Sequence, residues 1–128
     1  MSIVSIVLIA LVALFFAAMG VYGLLRPSQL VDPLGLLADR ADARAEVRAV
    51  YGGFGIAIAV VLGLAAADVG DLRFGTCVAV AAALGGMAVG RIWSGFVESP
   101  SAFFPVWFYL VLEVIMAAML VLAVTLDP

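Results

Sequence analysis

The sequence predicts an all-α integral membrane protein, one four-helix bundle occupying residues 1–128, and three observations carry that reading. First, 67% of the 128 residues are apolar and the mean hydropathy is +1.32; no soluble domain of this length hides that much apolar surface. Second, the apolar residues fall into four runs, about 3–25, 47–67, 74–96 and 103–126, each near or above the roughly 20 residues that a spanning helix needs. Third, the charges collect between the runs, and only Arg91 and Glu113 stand well inside one. The connections leave no room for a soluble domain.

The first span, Ile3 to Leu25, lacks a basic leader segment and is longer than the apolar core of a signal peptide, so it is expected to stay in the membrane as a helix. Arg26-Pro27 ends it, because proline has no N–H to donate and its ring clashes with the preceding turn. In the loop that follows, Leu30, Val31, Leu34 and Leu37 recur at helical spacing, which predicts a segment lying on the membrane surface. Asp39 or Asp42 is the expected N-cap of the second helix, which runs through Arg44, Glu46 and Arg48 before it enters lipid. Asp68-Val69-Gly70-Asp71 predicts a tight turn into the third span, and Glu98-Ser99-Pro100-Ser101 a second loop before the fourth.

Four spans put both termini on one side, called A here, and the long first loop on the other, called B. Arg26, Arg40, Arg44 and Arg48 lie on side B against Arg73 on side A, so the positive-inside rule makes B cytoplasmic and the termini external. Tyr22, Tyr51, Trp93, Trp107 and Tyr109 all fall in the B half as well. An interfacial belt decorates both faces of a membrane in the usual case, so this one-sided set marks side B as the side of contact.

Small residues at four-residue spacing let helix backbones approach in lipid. The second span carries Gly55, Ala59, Gly63 and Ala67, and the third Ala82, Gly86, Gly90 and Ser94. These ridges are expected to pack within the chain, and otherwise to serve a homo-oligomer or a partner membrane subunit.

Glu113 is ten residues into its run, about 15 Å deep at 1.5 Å per residue, and Arg91 about 7 Å below the B surface. A carboxylate at such depth costs on the order of 3 kcal/mol unless it is neutralised, paired or wet. Helical side chains lean toward the helix N-terminus. The third span runs from A to B and the fourth from B to A, so Arg91 and Glu113 lean toward each other. They are expected to form an ion pair across the hairpin. Arg48 leans toward the headgroups, where it snorkels or meets lipid phosphate. Tyr51 and Tyr109 stand near enough to add hydroxyls. Arg48, Tyr51, Arg91, Trp93, Tyr109 and Glu113 are therefore the candidate binding residues for a lipid or for a quinone- or isoprenoid-like molecule.

The chain has no histidine and one cysteine, Cys77, so imidazole-bound metals, usual haem sites, Ser/His nucleophiles and internal disulfides are excluded. A nucleic-acid role needs a basic face, and the net charge is −3. Gly52-Gly53-x-Gly55 lies inside an apolar span and reads as helix packing, not as a phosphate loop. No catalytic residue, metal or obligatory cofactor is expected, and autonomous catalysis is not.

Arg48-Ala49-Val50-Tyr51-Gly52-Gly53, Gly90-Arg91, Glu98-Ser99-Pro100 and Glu113 together resemble a small bacterial family of four-helix membrane proteins known as a domain of unknown function. In layout that family is distantly similar to DoxX- and DoxD-like membrane proteins, some of them subunits of quinone-linked oxidoreductases. The resemblance implies a four-helix bundle in the bacterial inner membrane, with Arg48, Tyr51, Arg91 and Glu113 at characteristic positions. The leading expectation is a non-catalytic accessory or structural subunit with a buried Arg/Glu cluster. A lipid-, isoprenoid- or quinone-binding module is the first alternative, and a small proton-coupled transporter the second.

Overall fold

A computed structural model describes residues 2–99 and 102–127. Helix α1 spans Ile3–Leu25, and short α2 spans Pro27–Val31. Helix α3, Ala41–Val47, passes through a π-helical segment, Arg48–Gly53, into α4, Phe54–Ala66. Helices α5, Leu72–Val97, and α6, Val106–Leu126, complete the chain. Four segments are thus long and apolar enough to cross a membrane: α1, the continuous stretch Ala41–Ala66, Val69–Val97 and α6. The expected all-α membrane bundle is what the chain forms.

The boundaries follow local chemistry. Arg26 leaves helical geometry, and Pro27 takes the first position of α2, where its missing N–H costs nothing. Helix α3 begins earlier than the apolar run, as its charged first turns foretold. Neither Asp39 nor Asp42 caps it, however: the N-cap is Arg40, without a side-chain bond, because Asp42 already lies inside the first turn. Between α4 and α5, Asp68, Gly70 and Asp71 adopt positive φ, a geometry that Gly takes freely and Asp tolerates. Of the second B-side loop, Pro100 and Ser101 lie outside the described residues. The expected surface segment is shorter than its apolar spacing suggests, since Val31 turns into the protein while Leu37 stays outside.

Helix α1 packs on α4 and α6, and α5 packs on α4 and α6, which closes a four-helix ring. The shared core lies in the A half. It joins Ile9, Val12 and Phe16 of α1, Leu62 and Ala65 of α4, Leu84 of α5, and Met116 and Leu120 of α6. Only 22% to 33% of each span is buried, and large apolar side chains such as Leu14, Phe74 and Val89 face outward. Water would punish that arrangement, whereas lipid tails do not.

In the B half the helices associate as two pairs, and α1 meets α4 through glycine. A Cβ at Gly20 would stand 2.7 Å from the Ile56 backbone nitrogen, and one at Gly55 would stand 2.9 Å from the Phe16 carbonyl oxygen. Gly23 and Gly52 are equally tight. The expected ridge on the second span is thus half used, since Gly55 is enclosed while Gly63 faces open space. The ridge on the third span, Ala82, Gly86, Gly90 and Ser94, is exposed along its whole length, so the two ridges do not pack on each other.

This contrast yields a direct test. Gly20→Ala or Gly55→Ala forces backbone apart and should lower stability by about 1–3 kcal/mol, the usual cost of overpacking. Gly86→Ala meets nothing within 4 Å and should leave the detergent melting temperature unchanged or raised. Thermal melts of the purified variants compare the two.

Candidate functional site

Arg91 projects from the last turns of α5 toward α6, and Glu113 from the second turn of α6 toward α5. Arg91 Nε donates to Glu113 Oε1 at 2.9 Å and Nη2 to Oε2 at 3.1 Å. This side-on, two-bond geometry fits the planar guanidinium to the carboxylate. The Glu113 side chain is 5% exposed and that of Arg91 25%, so the carboxylate is enclosed while the arginine stays partly open. An aromatic ring covers part of the guanidinium, with Arg91 Cζ 5.5 Å from the centroid of Tyr109. Phe104 and Phe108 extend the cluster, with ring centroids 6.1 Å and 5.4 Å from Tyr109. One turn nearer side B, the Trp107 indole packs on Gly95, which leaves room for it by lacking a side chain.

The pair that the helix directions predicted is therefore present, and Tyr109 joins it through its ring. The other candidate residues stand apart. Arg48 donates from Nε to the Leu24 carbonyl at 3.2 Å, a bond that ties the π-helical segment to the end of α1. Tyr51, about one turn on, is half-buried. Trp93 is 68% exposed on the outer surface of α5. The six residues thus form a compact centre of Arg91, Glu113 and Tyr109, with Arg48 and Tyr51 on the α1–α4 pair.

A cavity of about 360 Å³ opens on side B between residues 33–35 of the first loop and residues 102–106 leading into α6. Phe104 lines it and also belongs to the aromatic cluster. Neither Arg91 nor Glu113 contributes to its wall.

A second polar centre at side A went unread in the sequence, where Arg73 counted only as a flanking charge. Arg73 is buried. It donates from Nε to the Ala65 carbonyl at 3.0 Å and from Nη2 to the Ala66 carbonyl at 2.7 Å, which caps the last turn of α4, where the Ala65 oxygen also accepts the Asp68 N–H. Its Nη1 donates to Asp127 Oδ2 at 3.2 Å, and the same oxygen accepts the Ser2 backbone N–H at 2.8 Å. Nearby, the Ser5 hydroxyl donates to the Ala123 carbonyl at 3.0 Å. One knot therefore fastens the A ends of all four spans. Its signal lay in spacing: Arg73 and Arg91 are about five turns apart on one helix and share a face.

These features define a multi-pass membrane protein of the four-helix-bundle class, braced by an ion pair toward each end. The chain belongs to the family described as Domain of unknown function (DUF4345), which matches it over residues 4–124. No curated protein and no solved structure matches it.

The A-side knot carries a pH dependence. The Ser2 backbone N–H, and with it the Arg73 guanidinium, hold the Asp127 carboxyl below the usual carboxylate range. A carboxyl whose pKa is lowered by folding stabilises the fold above its unfolded value, near about 4, and loses that contribution as pH falls toward its folded value. Detergent melts should therefore show no effect of this group between about pH 5 and 8 and a decline below about pH 4. Asp127→Asn should melt lower at neutral pH and lose that share of the acid slope.

Proposed function

We propose that this protein is a non-catalytic structural or accessory subunit of the bacterial inner membrane, in which Arg91–Glu113 clamps the α5–α6 hairpin. One observation carries the reading. The carboxylate is enclosed and each of its oxygens accepts a bond from Arg91, so it is committed to the partner helix and has little surface to offer a substrate. Between this clamp and the A-side knot, Met116, Leu120 and Leu84 are buried and apolar. That interruption argues against a proton path along the described residues.

Orientation follows from the same charges that the sequence displayed. Arg73 is spent on the A-side knot, which leaves the arginines of the first loop as the flanking charges that direct insertion. Side B is accordingly assigned to the cytoplasm and both termini to the outside. A carboxy-terminal alkaline phosphatase fusion should be active and a fusion within the first loop inactive; the reverse pattern would invert the assignment.

A second reading, a site for a lipid, isoprenoid or quinone headgroup, is favoured by the partial exposure of Arg91 and the Tyr109 ring beside it. Stability and mass separate the two. If the pair is a clamp, Glu113→Gln leaves a half-buried guanidinium unneutralised at membrane depth and costs on the order of 3 kcal/mol, while Arg91→Met with Glu113→Leu recovers most of that loss. Unchanged melting of the Gln variant would remove the clamp. Native mass spectrometry from nanodiscs, comparing wild type with Arg91→Ala, reads the alternative. A discrete bound mass lost in the variant would make the protein a binding module, and a bare chain supports the clamp.

A further inference from the structure

Three arginines at the B end of the α1–α4 pair, Arg26, Arg44 and Arg48, form no ion pair with a carboxylate among the described residues; the first loop's one salt bridge there joins Arg40 to Asp42. Two of them are nonetheless held in place by backbone. Arg48 Nε is bonded to the Leu24 carbonyl. Arg44 Nη1 donates to the Ala38 carbonyl at 3.2 Å, an oxygen that also accepts the Ser28 hydroxyl at 3.0 Å. Those bonds gather the two guanidiniums at the corner where α1 turns into α2, two residues from Arg26. Each bond uses one N–H and leaves the others of the five-donor fork.

On the helix that carries Arg44 and Arg48, the acids do not share their face. Arg44 and Arg48 are four residues apart and share a helical face, while Asp42 and Glu46 are offset from them by two residues, which places them about 200° away. The segment is therefore basic on one side and acidic on the other. Beside the Leu24 carbonyl that holds Arg48, at the end of α1, stand the exposed apolar side chains of Leu24 and Leu25.

We infer that Arg44 and Arg48, with Arg26 beside them, bind a phosphate oxyanion, and that its source is the headgroup of an anionic phospholipid whose chains lie along Leu24 and Leu25. Arginine suits this ligand because its planar fork pairs two N–H groups with two phosphate oxygens. Anchoring both guanidiniums to carbonyls beforehand reduces the conformational entropy lost on binding. The adjacent apolar surface favours a lipid over a free anion. This site lies on α1–α4, apart from the Arg91–Glu113 clamp, and stands whether or not that clamp is structural.

The test uses the full chain in nanodiscs of phosphatidylcholine doped with phosphatidylglycerol, released and weighed intact. Wild type should retain phosphatidylglycerol in preference to phosphatidylcholine. Arg44→Gln with Arg48→Gln should weaken retention about thirtyfold, at roughly fivefold for each basic residue near an anionic surface, while Arg40→Gln leaves it unchanged. Equal retention by wild type and the double variant overturns the site. Equal retention of the two lipids by wild type also overturns it, and that comparison needs no variant to fold. Displacement of the lipid by millimolar inorganic phosphate would assign the arginines to the free anion and overturn the lipid assignment.

Discussion

A guanidinium and a carboxylate at hydrocarbon depth persist together only if each supplies the other's hydrogen bonds, because lipid supplies none. Arg91 and Glu113 meet that condition with two bonds in one plane. The consequence reaches beyond the pair. It fixes which face of α5 and which face of α6 turn inward, and it fixes their relative height, since a slip of one residue would carry the fork off the carboxylate. Everything buried on α5, from Arg73 through Cys77, Val80 and Leu84 to Ala88, lies on the Arg91 side of that helix. The same holds for Met116, Leu120 and Val124 relative to Glu113 on α6.

The two halves of the bundle are then held by different physics. Helices α5 and α6 are pinned by charge toward both ends, with Trp107 seated on Gly95 beside the B-side pair. Helices α1 and α4 are joined by backbone proximity across Gly20, Gly23, Gly52 and Gly55, where dispersion and close approach replace charge. The π-helical segment belongs to this second mode, because Gly52 within it is one of the contacting glycines. The A half, with its apolar core and the Arg73–Asp127 knot, ties the two pairs into one body.

Much of this was legible in the residues, for reasons that can be named. The four spans follow from length and apolarity, and the Arg91–Glu113 pair follows from helix direction and side-chain lean, which need no tertiary information. The A-side knot did not emerge because Asp127 sits just past the last span and reads as tail, and because capping of α4 by Arg73 depends on where α4 ends in space. The ridges misled for a different reason. A four-residue spacing of small residues identifies a face but not its direction, and on α5 the deeper half of that face lies opposite Arg91. Measured against the arginine, Gly86 falls about 140° around the helix and Ala82 about 180°. The same charge that located the pair therefore also told which side of α5 would stay open. Arg48 illustrates the remaining gap: its depth was readable, but its partner, the Leu24 carbonyl, depends on the glycine contact between α1 and α4.

The two ends of the molecule differ in what they leave unsatisfied. At side A, the buried guanidinium, the Asp127 carboxylate, the first backbone N–H of the bundle and the last carbonyls of α4 are matched to one another. At side B, Arg26, Arg44 and Arg48 stand without carboxylate partners among the described residues, Trp93 and Phe96 point outward, and a cavity lies between the first loop and the start of α6. Recognition needs groups whose bonding capacity is not already spent inside the chain, and in this bundle those groups lie at one end. A partner or lipid approaching side A would meet a closed polar knot and an apolar flank, whereas one approaching side B would meet charge, aromatic surface and room. The asymmetry of bonding, more than any single residue, directs the search for this protein's role to its B face.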